Sequence, residues 1–279
     1  MSTPAAAPRY RGPTAVGDDF RRLVNLTTTL AANDFKLRFF GSALGYLWSL
    51  MRPLLLFGVL YFVFTEVVRF GAGVEYYPVY LLAAIVLFTF FAEATSRGVT
   101  SLIERETLLR KIRFPRMVVP LSVVLHALFN LGLNLIVVFG FVLASGIAPR
   151  WSWLMMIPLV LILVLLSTGT TMLLSALFVR YRDVQPIWEV VLQILFYASP
   201  VIYVTSTLPD NIEREAMVSP ITAVLTEMRH VLIDPSAPTA AEAIGGGVRL
   251  LIPLGLTLAV FALGAWVFAR EAPRIAEDL

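Results

Sequence analysis

Six long apolar stretches, separated by short charged segments, make up most of this sequence. A helix that crosses the hydrocarbon core of a bilayer needs about 20 mostly apolar residues, because lipid offers the backbone no hydrogen-bond partner. The pattern therefore predicts an all-α polytopic membrane protein with six transmembrane helices. The predicted spans cover residues 53–68 (which 44–50 would extend), 79–92, 117–145, 153–179, 187–204 and 248–269.

Residues 18–40 mix apolar and cationic positions in a pattern typical of an amphipathic helix. Asp18 or Asp19 suits its N-cap position. With cations on its wet face, this interface helix would lie along the anionic cytoplasmic surface of the membrane; a soluble arm without membrane contact is the alternative. The remaining predicted units are a disordered cytoplasmic N-terminus (1–17), the transmembrane domain (41–270) and a cytoplasmic tail (271–279).

Residues 104–116 form a densely charged loop between the second and third predicted spans. Charges of both signs surround a few apolar residues, and Pro115 stops any helix before the third span. A short charged helix with a small apolar face suits docking to a soluble partner protein. An ordinary cationic anchor at the membrane surface explains the same composition, so both interpretations stay open.

The segment after the fifth span, residues 205–247, contains a shorter apolar run. Ser199-Pro200 would break or end the fifth span, and Ser219-Pro220 opens a run over 221–233. That run is too short to cross the membrane and too apolar to be a free loop. It predicts short re-entrant or interfacial helices that are buried against protein.

The distribution of charge predicts the orientation. Cytoplasmic loops of membrane proteins are enriched in Lys and Arg, and 17 of the 22 Lys and Arg residues fall on one set of alternating segments. That set includes the N-terminal segment, the 104–116 loop and the C-terminal tail. We therefore predict that both termini are cytoplasmic and that residues 205–247 lie outside.

Composition agrees with a lipid environment and removes several classes of function. The 279 residues are 58% hydrophobic and 15% charged, with a mean hydropathy of +0.80, against about 45–50% apolar and about 25% charged in soluble domains. Cysteine is absent and histidine occurs twice, so no metal or thiolate site is expected. No P-loop and no common hydrolase motif occurs, so neither ATP binding nor catalysis is expected of this chain.

Few ionisable residues fall inside the predicted spans, which argues against an ion-coupled pump. His126, Asn130 and Asn134 lie at i, i+4 and i+8 of the third span and share one helix face. They either hold helices together or line a polar path, and the structural role is favoured. Glu93 and Arg97 are one turn apart and are predicted to form an ion pair.

Five motifs in order resemble the type-2 ABC exporter permeases of the polysaccharide class, over about residues 20–270. Residues 34–53 are similar to the segment that opens the first span in that family, and 109–122 to its first cytoplasmic coupling region. Tyr181-Arg-Asp183 and Ser199-Pro-Val-Ile-Tyr203 are similar to blocks flanking its fifth span. Ser219-Pro-Ile-Thr222 with Arg229 resembles its outer motif, with Ser219 in place of the usual Asn.

The resemblance implies a permease subunit that binds no cofactor itself. Two copies would form a homodimer and pair with two copies of a separate ATPase, which would hold ATP and Mg²⁺. The implied cargo is a cell-envelope polysaccharide (O-antigen, teichoic acid or capsule), commonly linked to a lipid carrier. The implied location is the bacterial cytoplasmic membrane, with membrane lipid and no nucleic acid among the partners.

The resemblance also implies roles for particular residues. The ATPase-coupling residues would be Leu108, Leu109, Arg110, Lys111, Arg113, Phe114, Pro115, Arg180, Arg182 and Asp183. The first and fifth spans of two copies would line the substrate path, with candidate residues Trp48, Phe57, Tyr61, Phe64, Phe196, Tyr197 and Tyr203. Aromatic faces suit sugar rings, which stack by their apolar faces. Short re-entrant helices within 205–233 would close the outer end.

Two other functions stay open. An exporter of a drug or other small molecule in the same superfamily would keep the six spans and the ATPase, although such proteins usually have a large outer domain or lack the long interface helix. A membrane enzyme or scaffold without an ATPase would need a catalytic constellation that the sequence does not contain. Identifying the cargo would distinguish the first alternative from a polysaccharide exporter, and identifying the partner protein would distinguish the second.

Overall fold

A computed structural model describes residues 20–39, 45–68, 74–107 and 115–272, and every regular element within these ranges is a helix. The α-helices in chain order are α1 Phe20–Phe39, α2 Gly45–Phe62, α3 Tyr77–Glu104, α4 Val118–Ala144, α5 Met156–Arg180, α6 Val184–Ala198, α7 Asp210–Ala216, α8 Pro220–Met228, α9 Ala240–Ala243 and α10 Leu251–Glu271. Short π-helical turns extend α2 (Val63–Val67) and α8 (Arg229–Ile233), and short 3₁₀ turns precede α5 (Trp151–Met155) and α10 (Gly247–Leu250).

Five helices in the described ranges are long and apolar enough to cross a membrane, which confirms an all-α polytopic membrane protein. Four of them agree closely with the first, third, fourth and sixth predicted spans. A helix is also present within the predicted 18–40 segment, as α1, although its candidate N-caps Asp18 and Asp19 lie outside the described residues and its location at the membrane surface stays a prediction. The five long helices are Leu47–Val67, Tyr77–Glu104, Val118–Ala144, Trp151–Arg180 and Gly247–Glu271.

The second predicted span was wrong in length. The apolar run ends before Glu93, but α3 continues to Glu104 and has 28 residues. Its last turns persist because Thr95, Gly98 and Leu102 are buried against neighbouring helices. The Thr95 hydroxyl also donates to the Phe91 carbonyl at 2.8 Å. This bond satisfies the polar side chain inside the helix, although hydropathy alone would place Thr95 outside the span.

The fifth predicted span, 187–204, is too long at its end, since α6 has 15 residues and stops at Ala198, at the break that the sequence predicts at Ser199-Pro200. At about 1.5 Å per residue such a helix covers about 22 Å, less than the hydrocarbon core of about 30 Å. The next residues, through Val204, are irregular and mostly buried. Membranes tolerate irregular backbone only where protein covers it, and the buried side chains around this turn provide that cover.

The helix α3 lies at the centre of the bundle and packs against α2, α4, α5 and α6. In the most apolar 18-residue stretch of α3, 78% of the residues are buried. In the equivalent stretches of α2 and α10, the buried share is 6% and 17%. Because so little of α2 is buried, this helix offers most of its surface to lipid or to another chain.

A separate apolar cluster joins α1 to the ends of several helices at one end of the bundle. It includes Leu23, Leu102, Val118, Met172 and Phe268.

The contact between α5 and α10 depends on two glycines. A Cβ atom added at Gly264 would overlap the carbonyl oxygen of Gly169, and one added at Gly169 would overlap the backbone of Phe261. The two backbones can approach this closely only because neither position carries a side chain.

The apolar run predicted at 221–233 is helical, as α8 and its π-helical extension. Together with α7 it forms a helix pair bent by 110°. Ile221, Val224, Leu225 and Met228 of α8 join the main apolar core. This segment is therefore packed onto the bundle; its side and its depth in the membrane stay predictions.

Candidate functional site

The candidate coupling residues that the structure describes lie on three helix ends. Pro115 is buried just before α4, and Arg180, Arg182 and Asp183 are exposed between α5 and α6. The Arg182 guanidinium lies 5.1 Å from the centroid of the Phe178 ring, a cation–π contact that directs the side chain along α5. The predicted coupling residues Leu108, Leu109, Arg110, Lys111, Arg113 and Phe114 lie outside the described residues.

The candidate path residues of the first span divide into packed and exposed side chains. Phe57 stacks on Tyr61 with ring centroids 5.7 Å apart and meets Phe141 of α4 edge-on at 5.7 Å. Phe64 also packs against the main core. Trp48 is different, because 59% of its surface is exposed. Within one protomer, the structure therefore leaves Trp48 freely available to a ligand and Phe57, Tyr61 and Phe64 only in part.

The candidate path residues of the fifth span show the same division. Phe196 packs edge-on against Phe88 of α3 with ring centroids 5.2 Å apart. Tyr197 projects outward and is 61% exposed. Tyr203 folds back over the helix end and its hydroxyl donates to the Ala198 carbonyl at 2.8 Å. Tyr197 is thus the outward-facing aromatic residue of this group.

The helices α2 and α6 pack on opposite faces of α3. Pro53 of α2 borders a small cavity with α3 residues 86, 90 and 93, whereas α6 contacts α3 residues 88, 91 and 95 through Phe196 and Trp188. At about 3.6 residues per turn, these two stripes lie about half a turn apart. With α3 between them, α2 and α6 do not face each other across a path within one protomer.

The polar stripe of the third span is buried, with Asn130 and Asn134 beside α3 and His126 against Phe35 of α1. His126, Asn130 and Asn134 are each less than a tenth exposed. The Asn130 side-chain amide donates to both carboxylate oxygens of Glu93, at 2.9 and 3.1 Å, and the Asn134 amide donates to the Asn130 carbonyl at 2.8 Å. These hydrogen bonds fit the interpretation in which the polar stripe holds helices together.

The predicted ion pair of α3 is present, with Arg97 Nη1 lying 3.6 Å from Glu93 Oε1. Beside it, the cavity lined by Pro53, Glu93 and Asn130 has room for about one water molecule. It is too small to be a substrate path. Among the described residues, no group of three or more His, Asp or Glu side chains is placed to hold a metal ion.

Two tyrosines that sequence reasoning missed hold the irregular end of the fifth span. Tyr77 and Tyr80 are 2% and 1% exposed. The Tyr77 hydroxyl donates to the Ile202 carbonyl at 2.6 Å, and the Tyr80 hydroxyl contacts the carbonyls of Pro200 and, at 3.0 Å, Tyr203. Two tyrosines three residues apart at the start of an apolar run are a weak signal, because interfacial tyrosines are common there.

An ion pair joins the C-terminal end of α8 to the residues that follow it. Arg229 Nη2 lies 3.6 Å from Asp234 Oδ2. Asp234 Oδ1 accepts from the Ser236 hydroxyl at 2.6 Å and from the Ser236 backbone N–H at 2.9 Å. Burial by itself raises the pKa of Asp234, but these hydrogen bonds and the nearby Arg229 outweigh it and hold the pKa below its ordinary range.

The similarity of this chain to known proteins extends over most of these elements. A sequence model of the family described as ABC-2 type transporter matches residues 25–233. The O-antigen export system permease protein RfbA of Myxococcus xanthus is 30% identical over 217 residues, which cover 77% of this chain and 83% of that protein. Two O-antigen export system permease proteins RfbA of Klebsiella pneumoniae are 28% and 27% identical over 213 residues, which cover 76% of this chain and 82% of each relative. The matched region reaches from α1 to the end of α8.

Proposed function

Because this chain belongs to the ABC-2 type transporter family, we propose that it is the membrane-spanning permease subunit of an exporter that moves a cell-envelope polysaccharide across the bacterial cytoplasmic membrane. The observation that carries this proposal is the 30% identity to an O-antigen export permease over 83% of that protein's length. The sequence contains no P-loop, so ATP and Mg²⁺ belong to a partner ATPase.

The working unit is a homodimer whose path lies between the two copies. Support comes from the packing of α2 and α6 on opposite faces of α3, since a path lined by both helices then needs a second protomer. Both helices also expose apolar and aromatic side chains away from the bundle, including Trp48, Val59, Ile194 and Tyr197. Trp48 and Tyr197 present ring faces on which the apolar faces of sugar rings stack.

The cargo is linked to a lipid carrier, which anchors one end of the polymer at the membrane. A peripheral α2 helix with little buried surface fits this proposal, because a chain with a lipid tail then reaches the path sideways from the bilayer. The charged ends of α3, α4, α5 and α6 gather at one end of the bundle, which is cytoplasmic by the distribution of Lys and Arg.

Coupling follows from contacts at that end. ATP-driven closure of the partner ATPases pushes on residues 108–115 and on Arg180, Arg182 and Asp183, and the helices move as rigid bodies to open the path. Such a push shifts a population, so the ATPase must contact these residues differently in its open and closed states.

Purification from the native membrane in mild detergent, with mass spectrometry of the co-purifying proteins and lipids, tests the proposal. We expect a stoichiometric P-loop ATPase and a lipid-linked saccharide. A chain that purifies without any ATPase in several detergents would contradict the exporter function. An ATPase that hydrolyses ATP in response to a drug instead of a glycan would favour the small-molecule alternative.

The coupling role has its own test. We expect Phe114→Ala and Pro115→Gly to leave membrane insertion intact and to separate ATP hydrolysis from export, because the first shortens a side chain of the proposed docking loop and the second loosens the buried start of α4 that would receive the push. Export and ATPase activity are measured on the same reconstituted complex. Normal export in both variants would show that the docking assignment is wrong.

A further inference from the structure

Arg105, the C-cap residue of α3, connects three helices at the cytoplasmic end of the bundle. Its Nη2 atom forms an ion pair with Asp34 Oδ2 of α1. Its Nη1 atom donates to the Ser122 hydroxyl of α4 at 3.3 Å. Ser122 is fully buried and donates its own proton to the Val119 carbonyl at 2.8 Å, so its oxygen is oriented to accept from Arg105.

The environment of this connection distinguishes it from an ordinary surface ion pair. The side chains of Arg105 and Asp34 are 17% and 32% exposed, so water screens their attraction less than it would on an open surface. The planar guanidinium reaches two partners at once, which a lysine ammonium on a flexible stem does less well.

The same part of α1 is also held by apolar contacts. Phe35, the neighbour of Asp34, meets His126 and Phe129 of α4 edge-on, with ring centroids 5.7 and 5.8 Å away. Ala31, one turn earlier, is fully buried. The polar connection therefore sits beside a packed contact that fixes the register of α1 on α4.

Both ends of the proposed coupling loop are attached to this assembly. Arg105 lies three positions before Leu108, and at the other end Pro115 and Arg116 are buried at the start of α4. A loop that is fixed at both ends transmits a push to the helices, because packed elements move as units and do not deform gradually.

We propose that Arg105 is a positioning residue for transport: by holding Asp34 and Ser122 together it makes α1, the end of α3 and the start of α4 move as one body when the ATPase pushes on the loop. This inference rests on the proposed exporter function. It adds a specific connection through which the interface helix takes part in the movement.

The first test measures polysaccharide export per ATP hydrolysed, with the complex of permease and ATPase in proteoliposomes. We expect Arg105→Gln and Asp34→Asn each to lower this ratio about fivefold while ATP hydrolysis continues, since coupling networks of this kind carry modest free energies. The charge swap Asp34→Arg with Arg105→Asp restores most of the ratio. The control is Asn33→Ala, an exposed neighbour on α1, which leaves the ratio unchanged.

A second test replaces the ion pair with a covalent bridge. Because the chain has no native cysteine, only the introduced thiols of this chain react. We expect Asp34→Cys with Arg105→Cys to be as poorly coupled as the single variants, and a short bismaleimide that joins the two thiols to restore export per ATP. This test stays informative if a charge variant is lost from the membrane, because unbridged and bridged samples come from the same preparation.

Several results would overturn the proposal. An Arg105→Gln variant with the wild-type ratio shows that the connection is not used, and a bridged protein that stays uncoupled shows that the two helices must separate during transport. A charge swap as defective as the single variants rules out the ion pair as the cause. Wild-type protein without any ATP-dependent export contradicts the proposed function itself, which is a different outcome from an Arg105 variant that exports normally beside an active wild type.

Discussion

At the scale of single residues, the structure shows which hydrogen-bond partners the buried polar groups have. The irregular turn after α6 leaves buried backbone carbonyls without helical partners, and the hydroxyls of Tyr77 and Tyr80 bond to them. At the contact between α3 and α4, the side-chain amide of Asn130 donates to the Glu93 carboxylate. Each of these contacts joins residues that are far apart in the sequence, so removing one partner leaves a buried polar group unpaired.

Tyr80→Phe tests the role of the turn. The change removes only the hydroxyl oxygen and leaves buried carbonyls without a donor, which we expect to lower the free energy of unfolding by about 1–3 kcal/mol. The measurement is thermal unfolding of the purified protein in detergent. Tyr203→Phe is the control, because its hydroxyl bond is exposed; an equal loss of stability in both variants would contradict the special role of Tyr80.

Asp234 makes stability depend on pH. Because its pKa is held below the ordinary 3.8, its contribution is complete above that pH and disappears as the pH falls through the lowered value. We expect Asp234→Asn to melt at a lower temperature than wild type at pH 7, and this gap to close as the solution is acidified below pH 3.8. A gap of constant size across this range would show that the carboxylate charge is not the cause.

At the scale of elements, packing decides where helices end and how closely they approach. The helix α3 is twice as long as its apolar core because neutral small residues after Glu93 bury against α5. The helix α6 ends early because Pro200, which lacks an amide hydrogen, follows within two residues of its last turn. Local hydropathy does not predict the end of α3, since that boundary depends on what the neighbouring helices cover, whereas Ser199-Pro200 predicts the end of α6.

The glycine contact between α5 and α10 can be tested by adding a side chain. Gly264→Val would push two backbones apart, and we expect it to destabilise the protein by about 1–3 kcal/mol. The matched control is Gly255→Val on the same helix, where an added Cβ meets no atom within 4 Å. Thermal unfolding in detergent compares the two, and a Gly264 variant as stable as the control would mean that α10 is not seated as described.

At the scale of the whole molecule, the arrangement around α3 matters most. The single chain buries α3, exposes α2 and α6 on opposite sides, and packs α8 onto the bundle. A membrane protein with such exposed helices meets lipid on some faces and another chain on others. The arrangement therefore agrees with a path that two copies build together, as proposed above.

The orientation of the molecule in the membrane can be measured directly because the chain contains no cysteine. We expect a membrane-impermeant maleimide to label Glu215→Cys, on the exposed face of α7, in intact spheroplasts. Tyr181→Cys, exposed between α5 and α6, should be labelled only after the cells are opened. The reverse pattern would invert the topology and move the proposed docking residues to the wrong side for an ATPase.

The sequence alone determined that this is an all-α membrane protein, where most of its spans lie and which family its motifs resemble. These follow from local physics, because lipid requires each spanning segment to be apolar and to satisfy its own backbone. It also predicted the Glu93–Arg97 pair, since residues one turn apart on a helix are neighbours in any fold.

Only the tertiary structure decided which aromatic residues of the candidate path face outward, where α3 ends, and that Arg105 meets Asp34. Asp34 and Arg105 are 71 positions apart, and Tyr80 and Pro200 are 120 apart. Contacts over such separations are set by how whole helices pack, and no local pattern of apolar and polar positions encodes them.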